Sequence, residues 1–157
     1  MAVITAQKGF TLIELLVSVS ILIIITGLSV AGVITFNQKQ GLEDDAKNLA
    51  SELRKEYSRA TGIFYPPGCT TSLTGYRLTM NYLSKDVLVS ALCPNVSLNA
   101  TGVLKSSHFY GNTTFVINAG DGRITGSPIT LEIMSDNDIT NAKFIRISDF
   151  GLIEILP

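Results

Sequence analysis

Residues Leu15 to Gln38 (LLVSVSILIIITGLSVAGVITFNQ) form a stretch of 24 residues without an Asp, Glu, Lys or Arg. About 20 apolar residues suffice for one helical crossing of a bilayer, so the chain must place a long apolar helix in lipid or against protein. The hydroxyls of Ser18, Ser20, Thr26 and Ser29 are compatible with this, because small hydroxyls bond to their own helix's carbonyls. The stretch also accounts for the composition. Only 16% of the 157 residues are charged and 46% are apolar, an excess that a small soluble enzyme does not need. Lys8 is the nearest preceding cation, and the positive-inside rule then keeps residues 1–9 cytoplasmic and sends Lys39 onward across the membrane.

Glu14 stands at the mouth of the stretch. On translocon scales a carboxylate there opposes insertion by about 2 to 3 kcal/mol, so one that stays in the membrane requires a partner. An ordinary secretory signal is the alternative reading, with Lys8 as its charged region and Ser29-Val30-Ala31 as its cleavage site. The apolar run is longer than the ~7 to 15 residues of such signals.

The residues around Glu14 point elsewhere. Lys8-Gly9-Phe10-Thr11-Leu12-Ile13-Glu14-Leu15-Leu16-Val17 resembles the prepilin signature of type IV pilins and of the pseudopilins of type II secretion. The resemblance implies a cut between Gly9 and Phe10 by prepilin peptidase, N-methylation of Phe10, and pairing of Glu14 with the Phe10 amine of a neighbouring subunit. The chemistry is consistent with that. Gly9 offers no side chain to obstruct a cut, and the new ammonium would face the positive end of its own helix dipole, which a nearby carboxylate relieves. Many pilins carry a proline where Ala31 stands here, so no proline kink is expected at that point. Gly27, Gly32 and Gly41 each weaken the helix by roughly 1 kcal/mol relative to alanine, which leaves room for bending. As partners the resemblance implies prepilin peptidase, other pilins or pseudopilins through the N-terminal helix, an inner-membrane assembly platform and the cytoplasmic membrane. The head would lie in the periplasm or outside.

Beyond the apolar stretch, Leu42, Ala46, Leu49, Ala50, Leu53, Tyr57 and Ala60 repeat with helical spacing and form one stripe. Glu43, Asp44, Lys47, Glu52, Arg54, Lys55, Glu56 and Arg59 occupy the other face, expected to be solvated. Together these predict one helix from Thr11 to Ala60, stopped at Gly62 before Pro66-Pro67. Period-two alternation then predicts strands at Tyr76–Tyr82, Val87–Leu92, Thr113–Ile117, Ile129–Met134, Lys143–Ile147 and Leu152–Leu156. Turn signals at Asp121-Gly122, Ser135-Asp136-Asn137-Asp138 and Asp149-Phe150-Gly151 separate them. The fold class is therefore α+β: a long N-terminal helix packed on an antiparallel β head of six to eight strands. The organisation reads as a leader over 1–9, a membrane or filament-core helix over 10–36, its amphipathic half over 37–61, and a β head over 62–157.

The strands and glycines of Phe115 to Ile153, with Leu92-Cys93-Pro94, are similar to the pseudopilin H and FimT/FimU group, whereas residues 62–86 resemble no named pattern. The reading is thus a minor pilin or pseudopilin; the alternative is a secreted or anchored β domain that binds a ligand. In an oxidising compartment Cys69 and Cys93 are expected to pair, a bond worth roughly 3 to 4 kcal/mol on the chain-entropy model, with two buried thiols as the other possibility.

No catalytic group, metal or cofactor is expected. The one histidine, His108, has no nucleophile motif around it and reads as an exposed loop residue. Asp136, Asp138 and Thr140 open like a calcium loop, but Asn141 and Ile147 stand where that loop needs Gly and Glu, so a hairpin tip is expected. Asn95, Asn99 and Asn112 sit in permissive glycosylation-type triplets that mark polar loops. Direct nucleic-acid binding is not expected, because 12 Lys+Arg against 13 Asp+Glu give a net charge of −1 and only Lys143 and Arg146 lie near the C-terminal strands.

Overall fold

The computed structural model describes residues 10–69, 72–93 and 100–156, without the side chains of residues 28–31 and 100. Helix α1 spans Leu12–Thr61 and is continuous through Gly27, Gly32 and Gly41. The chain divides into two compact units, residues 1–37 and 38–157.

In the first unit the described apolar side chains of α1, from Leu12 to Phe36, are exposed. This part of the helix is long and apolar enough to cross a membrane. Its hydroxyls turn inward as expected: Ser18 donates to the Glu14 carbonyl, Ser20 to Leu16 and Thr26 to Leu22, each at 2.8 Å. Ala31 and Ser29 have side chains outside the described set.

In the second unit the stripe of α1 forms one wall of the core. Leu42, Ala46, Leu49, Ala50, Leu53 and Ala60 are buried, and Tyr57 packs partly buried beside them. Nine strands are found among the described residues: β1 Gly75–Met80, β2 Asp86–Ala91, β3 Ala100–Gly102, β4 Ser107–Phe109, β5 Thr113–Asn118, β6 Ile124–Thr125, β7 Ile129–Ser135, β8 Ala142–Ile147 and β9 Ile153–Leu156. They make two antiparallel sheets, ordered β3-β2-β1-β5-β6 and β4-β7-β8-β9. Inward residues alternate as a half-buried strand requires: Tyr76, Leu78 and Met80 on β1, and Leu131 and Ile133 on β7.

Several expectations are corrected here. Three strands exceed the expected pattern, because β3, β4 and β6 are two or three residues long and carry too few alternations to register. Tyr82 and Leu152 fall outside their strands and are exposed, since Met80 ends β1 and Ile153 begins β9. The helix does stop before Gly62, as expected, and the left-handed residue of its closing Schellman turn is Ile63, at φ 49°. Ile63 N donates to the Ala60 carbonyl and Phe64 N to that of Arg59, at 3.2 and 3.0 Å, the two bonds that define this cap. The expected turns do form. Gly122 and Gly151, at φ 68° and 74°, approach the Tyr57 ring so closely that a Cβ on Gly151 would lie 2.1 Å from it. Glycine is needed there both for the left-handed backbone and for the space.

Candidate processing and assembly site

The first turn of α1 is closed by a reciprocal capping box. Thr11 is the N-cap: its hydroxyl accepts a bond from Glu14 N at 3.3 Å. Glu14 Oε2 in return accepts from Thr11 N at 3.0 Å and from the Thr11 hydroxyl at 2.8 Å. This Thr-x-x-Glu pattern, standing directly before an apolar run, satisfies donors that a helix start leaves without partners. Thr11 and Glu14 stand three residues apart, so the pattern is legible in the sequence itself. Its consequence is electrostatic. A carboxylate in an apolar segment is held by two donors of its own chain, and among the described residues no hydrogen bond uses Oε1.

Phe10 lies just before the helix and is exposed. Gly9 and Lys8 lie outside the described residues, as does the bond at which cleavage is expected. Among the described residues, Glu14 is thus the ionisable side chain of this helix end, one turn in, with Oε1 outside the capping bonds.

Residues 4–30 match the prokaryotic N-terminal methylation motif. The matched segment contains Gly9, Phe10, Thr11 and Glu14 and most of the apolar stretch. The chain thus carries a type IV pilin-like prepilin signal, the substrate pattern of prepilin peptidase, at the head of a helix suited to membrane anchoring. No curated protein and no solved structure matches the chain.

The remaining sequence candidates are placed as follows. Cys69 and Cys93 are joined, with Cα atoms 6.0 Å apart, inside the range a disulfide spans. His108 is not an exposed loop residue. It lies half-buried in β4, and its Nδ1 is 2.8 Å from Asp136 Oδ1. Lys85 pairs with the other oxygen of Asp136. Burial pushes the Asp136 carboxyl up, but the hydrogen bonds from Lys85 and His108 outweigh it and hold the group below the usual carboxylate range. Asp138 caps the β7–β8 hairpin tip by accepting from Thr140 N at 3.0 Å, as a hairpin reading requires. Lys143 reaches Glu43 at 3.2 Å, and Arg146 stands on β8 between Thr130 and Glu154. Asn112 accepts from Tyr82 N at 2.7 Å, while Asn95 and Asn99 lie outside the described residues.

Two carboxylates on α1 escaped the sequence reading. Asp45 is buried, and its oxygens accept from Lys105 N, Ser106 N and the Ser107 hydroxyl, the last two at 2.8 Å. It fastens the β3–β4 connection to the helix. Glu56, expected on the solvated face, is only 1% exposed. Its Oε1 accepts from Arg59 at 2.7 Å, but Oε2 has no hydrogen-bond partner among the described residues. Burial raises its carboxyl above the ordinary range, against the opposing pull of Arg59.

Proposed function

We propose that this chain is a structural subunit of a pilin-type filament, of the minor pilin or pseudopilin H/FimT/FimU kind, with no catalytic activity of its own. Prepilin peptidase cuts between Gly9 and Phe10 and methylates Phe10. Residues 10–36 hold the subunit in the inner membrane with the head on the periplasmic side, from which an assembly platform adds it to a type II secretion pseudopilus or a type IV pilus. The observation that carries this reading is the methylation motif over residues 4–30, lying on a helix whose large side chains from Leu12 to Phe36, where described, are apolar and exposed and whose first turn holds Glu14.

The capping box gives Glu14 a role in two stages. Before assembly, Thr11 supplies two donors to the carboxylate and lowers the cost of holding a charge in an apolar segment. On assembly, the ammonium of a neighbour's Phe10 approaches the open Oε1, and a charge-assisted bond forms without dismantling the cap. Axial register follows, because only one stagger brings that amine to that carboxylate.

The test uses two variants in a strain that assembles the filament. Glu14→Ala should be cleaved normally but incorporated poorly. Glu14→Gln keeps a side chain able to cap the helix but has no charge, and it should also be incorporated poorly. Normal incorporation of Glu14→Gln would show that the cap matters and the ion pair does not, and would overturn the pairing.

A further inference from the structure

The second unit begins at Gln38, where the chain leaves the apolar segment, and three turns gather at this root of the head. A Cβ on Gly41 would lie 3.1 Å from Ser106, so the residues before β4 sit on the first turn of the head's helix. Lys85 of the β1–β2 turn donates to the Lys105 carbonyl at 3.0 Å and pairs with Asp136. Asp136 and Lys143 bracket the β7–β8 turn, Lys143 bonds Glu43, and Lys39 acts on Asp138 through space.

The β1–β2 and β7–β8 turns, with the β4–β5 turn that Asn112 joins to Tyr82, carry large apolar side chains in the open. Tyr82 is 52% exposed, Leu83 59%, Tyr110 50% and Ile139 75%. Tyr82 and Tyr110 meet edge to face with centroids 6.0 Å apart. Leu83 stands at φ 61°, a conformation a leucine adopts only at a cost, and it is fixed there because its N–H donates to the Phe109 carbonyl at 2.9 Å. A turn that needs this backbone ordinarily uses Gly or Asn. Strain spent on displaying a leucine to solvent points to a surface with a use.

We infer that this root surface, Tyr82, Leu83, Tyr110 and Ile139, rests on the lipid bilayer, with the side chains in its headgroup zone, while the subunit awaits assembly. The inference rests on the membrane-anchored reading above. Chain length favours lipid over any other occupant. Gly41 follows Phe36, the last apolar residue of the anchor, by about five residues, so it stays within about 18 Å of the bilayer edge even if the link were fully extended. Such a tether holds the surface at an effective concentration of about millimolar, enough for a weak contact to persist. Tyrosine suits the zone, since its ring is apolar and its hydroxyl stays wet. Lys85, Lys143 and Lys39 face Asp136, Glu43 and Asp138, which leaves little unpaired positive charge at this surface beyond the exposed Lys105, so the contact depends on apolar insertion more than on anionic lipid.

The chain has no tryptophan, so a single one is a unique fluorophore. The full chain is reconstituted in phosphatidylcholine vesicles containing lipid brominated in the acyl chains, as three separate variants. Ile23→Trp reports on the anchor, Tyr82→Trp on the root surface, and Phe150→Trp on an exposed turn elsewhere on the head. Bromine should quench Ile23→Trp and Tyr82→Trp but spare Phe150→Trp. Adding Leu83→Ser to Tyr82→Trp should restore much of the lost intensity, and high salt should change nothing. If Ile23→Trp is quenched and Tyr82→Trp is not, the inference falls and the anchor stands. If Ile23→Trp is itself unquenched, the anchored reading fails first. Quenching of Tyr82→Trp that requires phosphatidylglycerol and vanishes in salt would overturn the apolar contact. So would a Tyr82→Trp shielded from aqueous acrylamide but untouched by bromine, since a protein surface such as a second copy would then cover it.

Discussion

Replacing Glu56 with methionine should make the head more stable at neutral pH. The buried Oε2 of Glu56 is out of contact with water and gains no hydrogen bond among the described residues, and an unsatisfied buried group of this kind costs about 1–3 kcal/mol. Against that stands the bond to Arg59 at 2.7 Å. Arg59 is 41% exposed, so solvent screens the pair and its loss costs at most about 1 kcal/mol, with the guanidinium free to hydrate. Methionine has a similar volume and nearly the same helix propensity. The net expectation is a gain of about 1–2 kcal/mol. The pH dependence follows from the raised carboxyl. Between the unfolded and folded values the native state binds more protons than the unfolded one, so wild-type stability falls as pH rises through that window. The advantage of Glu56→Met should therefore be largest at neutral pH and shrink below the ordinary carboxylate range, where both states are protonated. Urea denaturation of a fragment from Asn37 to Pro157, which contains the head's whole core, measures both quantities. A variant less stable than wild type at neutral pH would mean that Oε2 is satisfied, and would refute the reasoning.

Asp45 should behave in the opposite way, because its oxygens are fully used by Lys105, Ser106 and Ser107. Asp45→Ala should destabilise the same fragment by about 3 kcal/mol in urea, since it strands those donors; a change within 0.5 kcal/mol (about the noise for surface sites) would mean that they find water freely. Reducing the Cys69–Cys93 bond should lower stability by roughly 3–4 kcal/mol and the melting temperature by about 10–15 °C without altering the circular dichroism spectrum. Non-reducing mass spectrometry that finds two free thiols in protein taken from the periplasm would contradict the pairing.

The helix was legible because two periodic signals meet in it: an apolar run long enough to span a bilayer, and a stripe from Leu42 to Ala60 with charges opposite. The expected bounds, Thr11 and Ala60, differ from the observed Leu12–Thr61 by one residue at each end. The longer strands were legible for the same reason, since five or six residues give period two room to repeat. What was not legible depends on contacts between distant segments. Glu56 looks solvated beside Lys55 and Arg59, but it is buried close enough to Tyr76 to help burial push the Tyr76 hydroxyl up. Asp45 acquires its role only when residues 105–107, some 60 positions later, come to it. His108 looks like a loop residue until β4 pairs with β7 and brings Asp136 beside it. At the processing site the situation is reversed: Thr11 and Glu14 are three residues apart, and their capping box could have been read directly from the sequence.

All of the proposed assembly chemistry depends on the amine that cleavage creates. The most direct measurement is the N-terminal sequence and intact mass of the mature protein purified from membranes. A chain that begins with N-methylated Phe10, and so lacks residues 1–9, is the predicted result. A mature N-terminus at Gly32 would contradict the account, because it would remove Phe10 and Glu14 together and leave an ordinary secreted β domain.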